Sequence, residues 1–226
     1  PRPPPPEPAR AGGGFAPGQP EDDDRLMANI AAKDVAELRK RTGAGMMDCK
    51  KALEENGGDF DTAIEWLRAR GIAKSEKRAD RVASEGVIEV YLHHNGKVAV
   101  LVELNCETDF VARTDDFRGL AKNVAMHVAF ASPLAVSVAD LPADVIERER
   151  RIYTEQVAQE GKPEAVRAKI VAGKLKKFYA ESVLLEQPWV KDDKQTVGDL
   201  VKAVSGKLGE KVVLRRFVRL QLGEAV

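Results

Sequence analysis

Cys106, His94 and Asp109 are a thiol, an imidazole and a carboxylate, the three groups from which a nucleophilic triad is built. In such a site Cys106 would attack, His94 would take its proton and Asp109 would orient the ring. The surrounding pattern argues against it. Two β-rich runs, Val87 to Leu92 and Val98 to Leu104, flank Asn95-Gly96, a strong hairpin signal. With a two-residue turn, His94 pairs with Lys97 and Cys106 lies opposite Glu85. Cys106 then shares a face with Val98, Val100, Val102 and Leu104, whereas His94 points to the other side. The two also sit at opposite ends of the hairpin, about 30 Å apart at roughly 3.3 Å per residue. A nucleophile and its base need hydrogen-bond contact, so Cys106 reads as a core residue and covalent catalysis is not expected.

Metal and nucleotide chemistry find no better footing. His93 and His94 are adjacent, and on a strand they would face opposite ways; His127 stands alone between Met126 and Val128. No cysteine-pair spacing suggests zinc. Gly206-Lys207 is followed by Leu208, and the GAG at 43–45 lacks a third glycine and a preceding strand. No metal and no cofactor are expected. The basic groups Lys174 with Lys176-Lys177, and Arg215-Arg216, are interleaved with apolar residues and read as solvated faces.

One stretch keeps two readings. NCETDFVAR (105–113) carries Thr108, Asp109 and Phe110 where a strand gives way to a helix beginning near Thr114. Thr108 or Asp109 could cap that helix with Phe110 folded inward. Alternatively the acid and the aromatic could be presented to another molecule.

Composition narrows the setting. Thirty-six basic and 36 acidic residues cancel, so no net field favours nucleic acid or an anionic membrane. No apolar run approaches the roughly 18 residues of a membrane span. With 43% hydrophobic and 32% charged residues the chain suits a soluble globular protein. Its two cysteines, Cys49 and Cys106, fall in separate modules, so reduced thiols and a cytoplasmic location are expected.

Along the chain the pattern predicts an α+β protein in three parts. Residues 1–26, rich in proline and glycine, are expected to be disordered, with Met27 the expected natural start. Residues 27–73 predict three short helices: about Ala32 to Arg41, Met46 to Glu55, and a third capped by Asp59 or Asp61 that stops at Gly71. Residues 74–226 open with a charged connection, Lys74 to Arg81, and then form a core of a small antiparallel sheet packed with helices. After the hairpin come helical patterns at about 114–131, 142–159, 163–185 and 196–208, and a last strand from Val212 to Leu222. Val166, Ile170, Leu175, Phe178 and Tyr179 predict a buried stripe on the third of these helices.

Several blocks, in this order, resemble elongation factor Ts: RKRTGAGMMDCKKALEENGGD (39–59), NCETDFVAR (105–113), AMHVA (125–129), GKPE (161–164) and QPWVKDD (187–193). The resemblance runs from about Ile30 to the C-terminus. It implies a three-helix bundle similar to ubiquitin-associated domains, and guanine-nucleotide exchange on the translational GTPase EF-Tu in protein biosynthesis. It further implies that Leu38, Arg39, Thr42, Gly43, Met46 and Met47 lie in or near a surface docking on the GTPase domain. Thr108, Asp109 and Phe110, with Val111, would push between that domain's helices near its Mg²⁺ and phosphate loop, and His94 would touch the partner from the hairpin. Longer family members have two core halves and this chain has one hairpin, so a homodimer is expected. An adaptor of the ubiquitin-associated type, with no exchange activity, is the alternative.

Overall fold

The computed structural model describes residues 30–161 and 163–224; the stretch expected to be disordered, 1–26, lies outside them. Three helices open the described chain: α1 (Ala32–Thr42), α2 (Met46–Glu55) and α3 (Phe60–Glu76). Gly43 ends α1 at φ 66°, in the left-handed region that glycine enters without a Cβ penalty, and donates its N–H to the Arg39 carbonyl at 2.7 Å. Of the two candidate caps for α3, Asp59 does the work, accepting the Thr62 N–H at 2.8 Å. Val35, Leu38, Cys49, Ala52, Leu53 and Ala63 form the small core of this bundle.

The chain then turns into β1 (Glu85–Leu92) and β2 (Val98–Cys106), antiparallel in the expected register, with Glu85 opposite Cys106. The turn differs from the two-residue one expected. Asn95 Oδ1 accepts the Lys97 N–H at 2.9 Å, the bond that a two-residue turn gives to the His94 carbonyl. The ladder therefore closes one pair earlier, His93 N–H to Val98 O at 2.9 Å, and Gly96 sits at φ 68°. His93 and His94 leave the strand, and their rings lie 4.2 Å apart rather than on opposite faces.

A one-turn helix α4 (Asp109–Ala112) and a long α5 (Asp115–Ala131) follow. Next come α6 (Ala143–Gln159) and α7 (Glu164–Ser182), and then a two-stranded ribbon, β3 (Pro188–Trp189) with β4 (Asp192–Thr196), which the sequence pattern did not reveal. The chain continues through α8 (Val197–Leu208) to β5 (Val213–Gln221), which pairs with the free edge of β2 and makes the sheet order β1-β2-β5. The inner sheet face, Val100, Val102, Leu104 and Cys106, is fully buried with Phe117, Leu120, Val124 and Val128 of α5 in the main core. The fold is α+β, as expected.

Two expectations about helices fail. α3 does not stop at Gly71 but runs on to Glu76. Where α3 meets α8, the close approach needs glycine on α8 instead: a Cβ built on Gly206 would lie 2.6 Å from the Gly71 Cα, whereas one built on Gly71 would meet Ala203 at an ordinary 3.6 Å. The stripe on α7 is not buried as a whole. Leu175 alone is buried, Val166 is exposed and Phe178 and Tyr179 are half-buried. The reason is topological: α6 and α7 pack chiefly on each other, with Lys174 reaching Gln156 and Glu160, and a helix with one neighbour covers one side only.

Candidate functional site

At the end of β2 the backbone is extended at Thr108 (φ −129°, ψ 153°) and then turns into α4. Thr108 is the N-cap: its Oγ1 accepts the Val111 N–H at 3.4 Å and donates its own hydrogen to Glu210 Oε1 at 2.6 Å. The same carboxylate, through Oε2, accepts the N–H groups of Glu107 and Thr108, each at 3.0 Å. In return Glu107 accepts the Lys211 N–H at 2.6 Å and faces Arg81 at 3.4 Å. Those bonds hold the Glu107 carboxyl below the usual carboxylate range, the Lys211 N–H foremost. Glu210 lies in the loop between α8 and β5, a hundred residues from the turn it fixes. Local pattern carries no sign of it.

Within α4 the side chains divide. Ala112 and Val111 turn inward onto the main core. Asp109 stays at the surface, bonded to Arg113 at 2.8 Å. Phe110 is 81% exposed. Thr108 thus caps, but it caps α4, whereas α5 has its own cap in Thr114, whose Oγ1 accepts the Phe117 N–H at 3.4 Å; Phe110 is not folded inward.

Cys106 is buried just before the turn, donating to the Thr108 carbonyl at 3.1 Å. Burial pushes its thiol up to about 11, with Glu210 adding to the shift, so it is protonated and a poor nucleophile. His94 is at the far end of the hairpin, as the register requires.

The bundle residues fall into two groups. Leu38 is fully buried in the bundle core, so it supports a surface rather than forming one; its place in the expected docking set is corrected to that of a scaffold. Thr42 is half-buried, donating to the Leu38 carbonyl at 2.8 Å and closing the turn to Ala44 at 3.2 Å. Arg39 and Gly43 are exposed, and Met46 and Met47 are exposed methionines, flexible apolar chains suited to contact. Arg39, Gly43 and Met46 line a shallow crevice with Asp116 and Lys207. Lys207 pairs with Asp116 at 2.7 Å, just past the N-cap of α5 and six residues beyond Phe110. That pair ties the bundle crevice to the first turn of α5, the helix that follows the Thr-Asp-Phe turn in the chain. His94 does not join them.

Two motif blocks that looked independent meet in the core. His127 is buried, with Nε2 3.0 Å from Gln187 Oε1 and Nδ1 accepting the Val190 N–H at 3.4 Å. This pattern fits a neutral ring carrying its hydrogen on Nε2, and desolvation lowers its pKa. Trp189 lies 5.4 Å from the ring, and Gln187 donates to the Glu181 carbonyl at 2.8 Å. AMHVA and QPWVKDD thus form a structural knot joining α5, α7 and the β3–β4 ribbon. Among the described residues no cluster of three or more His, Cys, Asp or Glu could hold a metal ion, and no helix is long and apolar enough to cross a membrane.

Similarity to known proteins covers this same ground. A family model described as "Elongation factor TS" matches residues 27–224. The elongation factor Ts of Moorella thermoacetica is 55% identical over 197 residues, covering 87% of this chain and 97% of the relative. That of Nitratidesulfovibrio vulgaris is 56% identical over 194 residues, covering 86% and 97%. A third, from Fervidobacterium nodosum, is 54% identical over 195 residues, covering 86% and 99%. With the bundle, the single hairpin and the pinned Thr-Asp-Phe turn all inside the matched span, the chain belongs to the elongation factor Ts family and is a translation elongation factor.

Proposed function

We propose that the chain promotes GDP release from EF-Tu by docking its bundle on the GTPase domain and pressing the α4 turn against the Mg²⁺ and phosphate site. The observation that carries this reading is Phe110, 81% exposed on a one-turn helix whose backbone is fixed at both ends. Burying such a ring in a partner is worth about 1.5–3 kcal/mol. GDP is held by phosphate contacts and Mg²⁺, so distorting that pocket weakens it without proton transfer or a covalent step. Linkage makes the effect reciprocal: a factor that favours the nucleotide-free partner weakens nucleotide by the same ratio that nucleotide weakens the factor. Asp109, beside Phe110, would meet the rearranged backbone or the Mg²⁺. Arg39, Thr42, Gly43, Met46 and Met47 would supply affinity, with Leu38 behind them.

The test is Phe110→Ala. We expect an unchanged melting temperature and release of fluorescent GDP from EF-Tu slowed by about tenfold or more at saturating factor, the equivalent of about 1.4 kcal/mol. Release as fast as with the unmodified factor would defeat the wedge. An adaptor without exchange activity would instead be pulled down by EF-Tu equally with and without excess GDP.

The factor acts as a homodimer in this proposal. Ile88, Val90 and Leu92 on β1, Leu101 on β2, and Val218 and Leu220 on β5 are exposed on the outer face of the sheet. A face this apolar is unusual on a monomer. A second copy is the occupant that suits it, because antiparallel stacking about a two-fold sets the same aliphatic rows against each other. It also carries the partner copy's hairpin turn, with its His94, toward the strand end from which the first copy's wedge projects.

A further inference from the structure

A one-turn helix cannot hold itself: four residues do not repay the cost of nucleating a helix in water. Phe110 has no packing of its own, so its aim is set by the backbone of Glu107 and Thr108. That backbone is gripped by one side chain. Glu210 takes three donors from two consecutive residues, the N–H groups of Glu107 and Thr108 at 3.0 Å and the Thr108 hydroxyl at 2.6 Å. The hydroxyl is thereby committed on both sides, as donor to Glu210 and as cap acceptor for Val111, which leaves Thr108 one usable rotamer.

Glu210 is itself anchored. Its carbonyl accepts the Ser205 hydroxyl at 2.6 Å, Ser205 is fully buried, and Ser205 in turn meets Ser75 of α3 at 3.0 Å. Its neighbour Lys211 donates its N–H to Glu107 at 2.6 Å and its ammonium to the Ala79 and Arg81 carbonyls at 2.5 and 2.7 Å. One continuous path therefore runs from the last turn of the bundle's third helix, through α8, to the turn that presents Phe110.

From this arrangement we infer that Glu210 is a positioning residue for nucleotide exchange: with its backbone carbonyl tied to α3 through Ser205, its carboxylate sets the direction of the Phe110 wedge relative to the docked bundle. The inference rests on the wedge reading of Phe110. Glu210 touches neither nucleotide nor metal in this account and works only through Thr108 and Phe110.

The test is a double-mutant cycle on the full chain, with fluorescent GDP release from EF-Tu measured against factor concentration. Glu210→Ala should lower the maximal release rate by about tenfold and leave the half-saturating concentration within about twofold, since the bundle surface is untouched. Glu210→Gln, which keeps an acceptor oxygen, should recover part of the rate; being isosteric, it also serves if the alanine variant folds poorly. In a Phe110→Ala background, Glu210→Ala should change the rate by less than about twofold, because the group through which it acts is gone. Rates unaffected by both Glu210 variants would overturn the inference, as would losses that multiply with that of Phe110→Ala. Failure of the wedge reading looks different: Phe110→Ala alone would then release GDP at the unmodified rate.

Discussion

His127 shows how a residue that resembles a functional group can be wholly structural. Its ring is buried between Gln187, Val190 and Trp189, and desolvation depresses its pKa below the ordinary 6.5. The folded state then binds a proton less readily than the unfolded chain. This contribution to stability is complete above pH about 6.5 and is lost as the pH falls below it, where the unfolded imidazole charges and the buried one resists. Thermal unfolding between pH 8 and 5 should show the loss. His127→Gln should be less stable at pH 8 and fall less steeply; an equal slope in both proteins would contradict the assignment. Cys106 makes the complementary case. Cys106→Ser keeps the donor to Thr108 in a slightly smaller side chain, so it should cost about 1 kcal/mol of stability and leave GDP release intact. Loss of exchange with retained fold would reopen a chemical role for the thiol.

Among the elements, the contact between α3 and α8 decides how the bundle sits on the core. Gly71 and Gly206 meet backbone to backbone, and Ala203 lies 3.6 Å from the position of a Gly71 Cβ. Gly206→Ala must force the helices apart, at a cost of about 1–3 kcal/mol in an interface with no room to repack. Calorimetry should record a lower melting temperature, and an unchanged one would mean the helices slide freely. Helix extents were legible because caps and breakers are local: Thr114 opens α5, Thr196 opens α8 and Gly43 closes α1, each within a residue or two of expectation. Gly71 was misread because a glycine inside a helix looks, in one dimension, like one that ends it. The hairpin register was legible and its turn was not, since the Asn95 side chain competes for the very N–H that defines the turn type.

For the whole molecule, the open sheet face makes a prediction about assembly. Light scattering after gel filtration should give a dimer at micromolar concentration, and Val90→Lys together with Val218→Lys should give a folded monomer. A wild-type monomer under those conditions would remove the second copy, and with it any contribution of His94 to a shared site. Both thiols are buried, so the dimer should be indifferent to reductant.

The sequence by itself determined the α+β class, the three-helix opening, the strand register that separated Cys106 from His94, and, through its motif blocks, the family. These rest on periodicity, caps and short motifs, which are local and survive in one dimension. Only the tertiary structure decided that Phe110 faces solvent, that Leu38 does not, that the α7 stripe is mostly uncovered, and that Glu210 grips the turn from a hundred residues away. Burial and long-range hydrogen bonds depend on which elements become neighbours, and sequence spacing holds no measure of that.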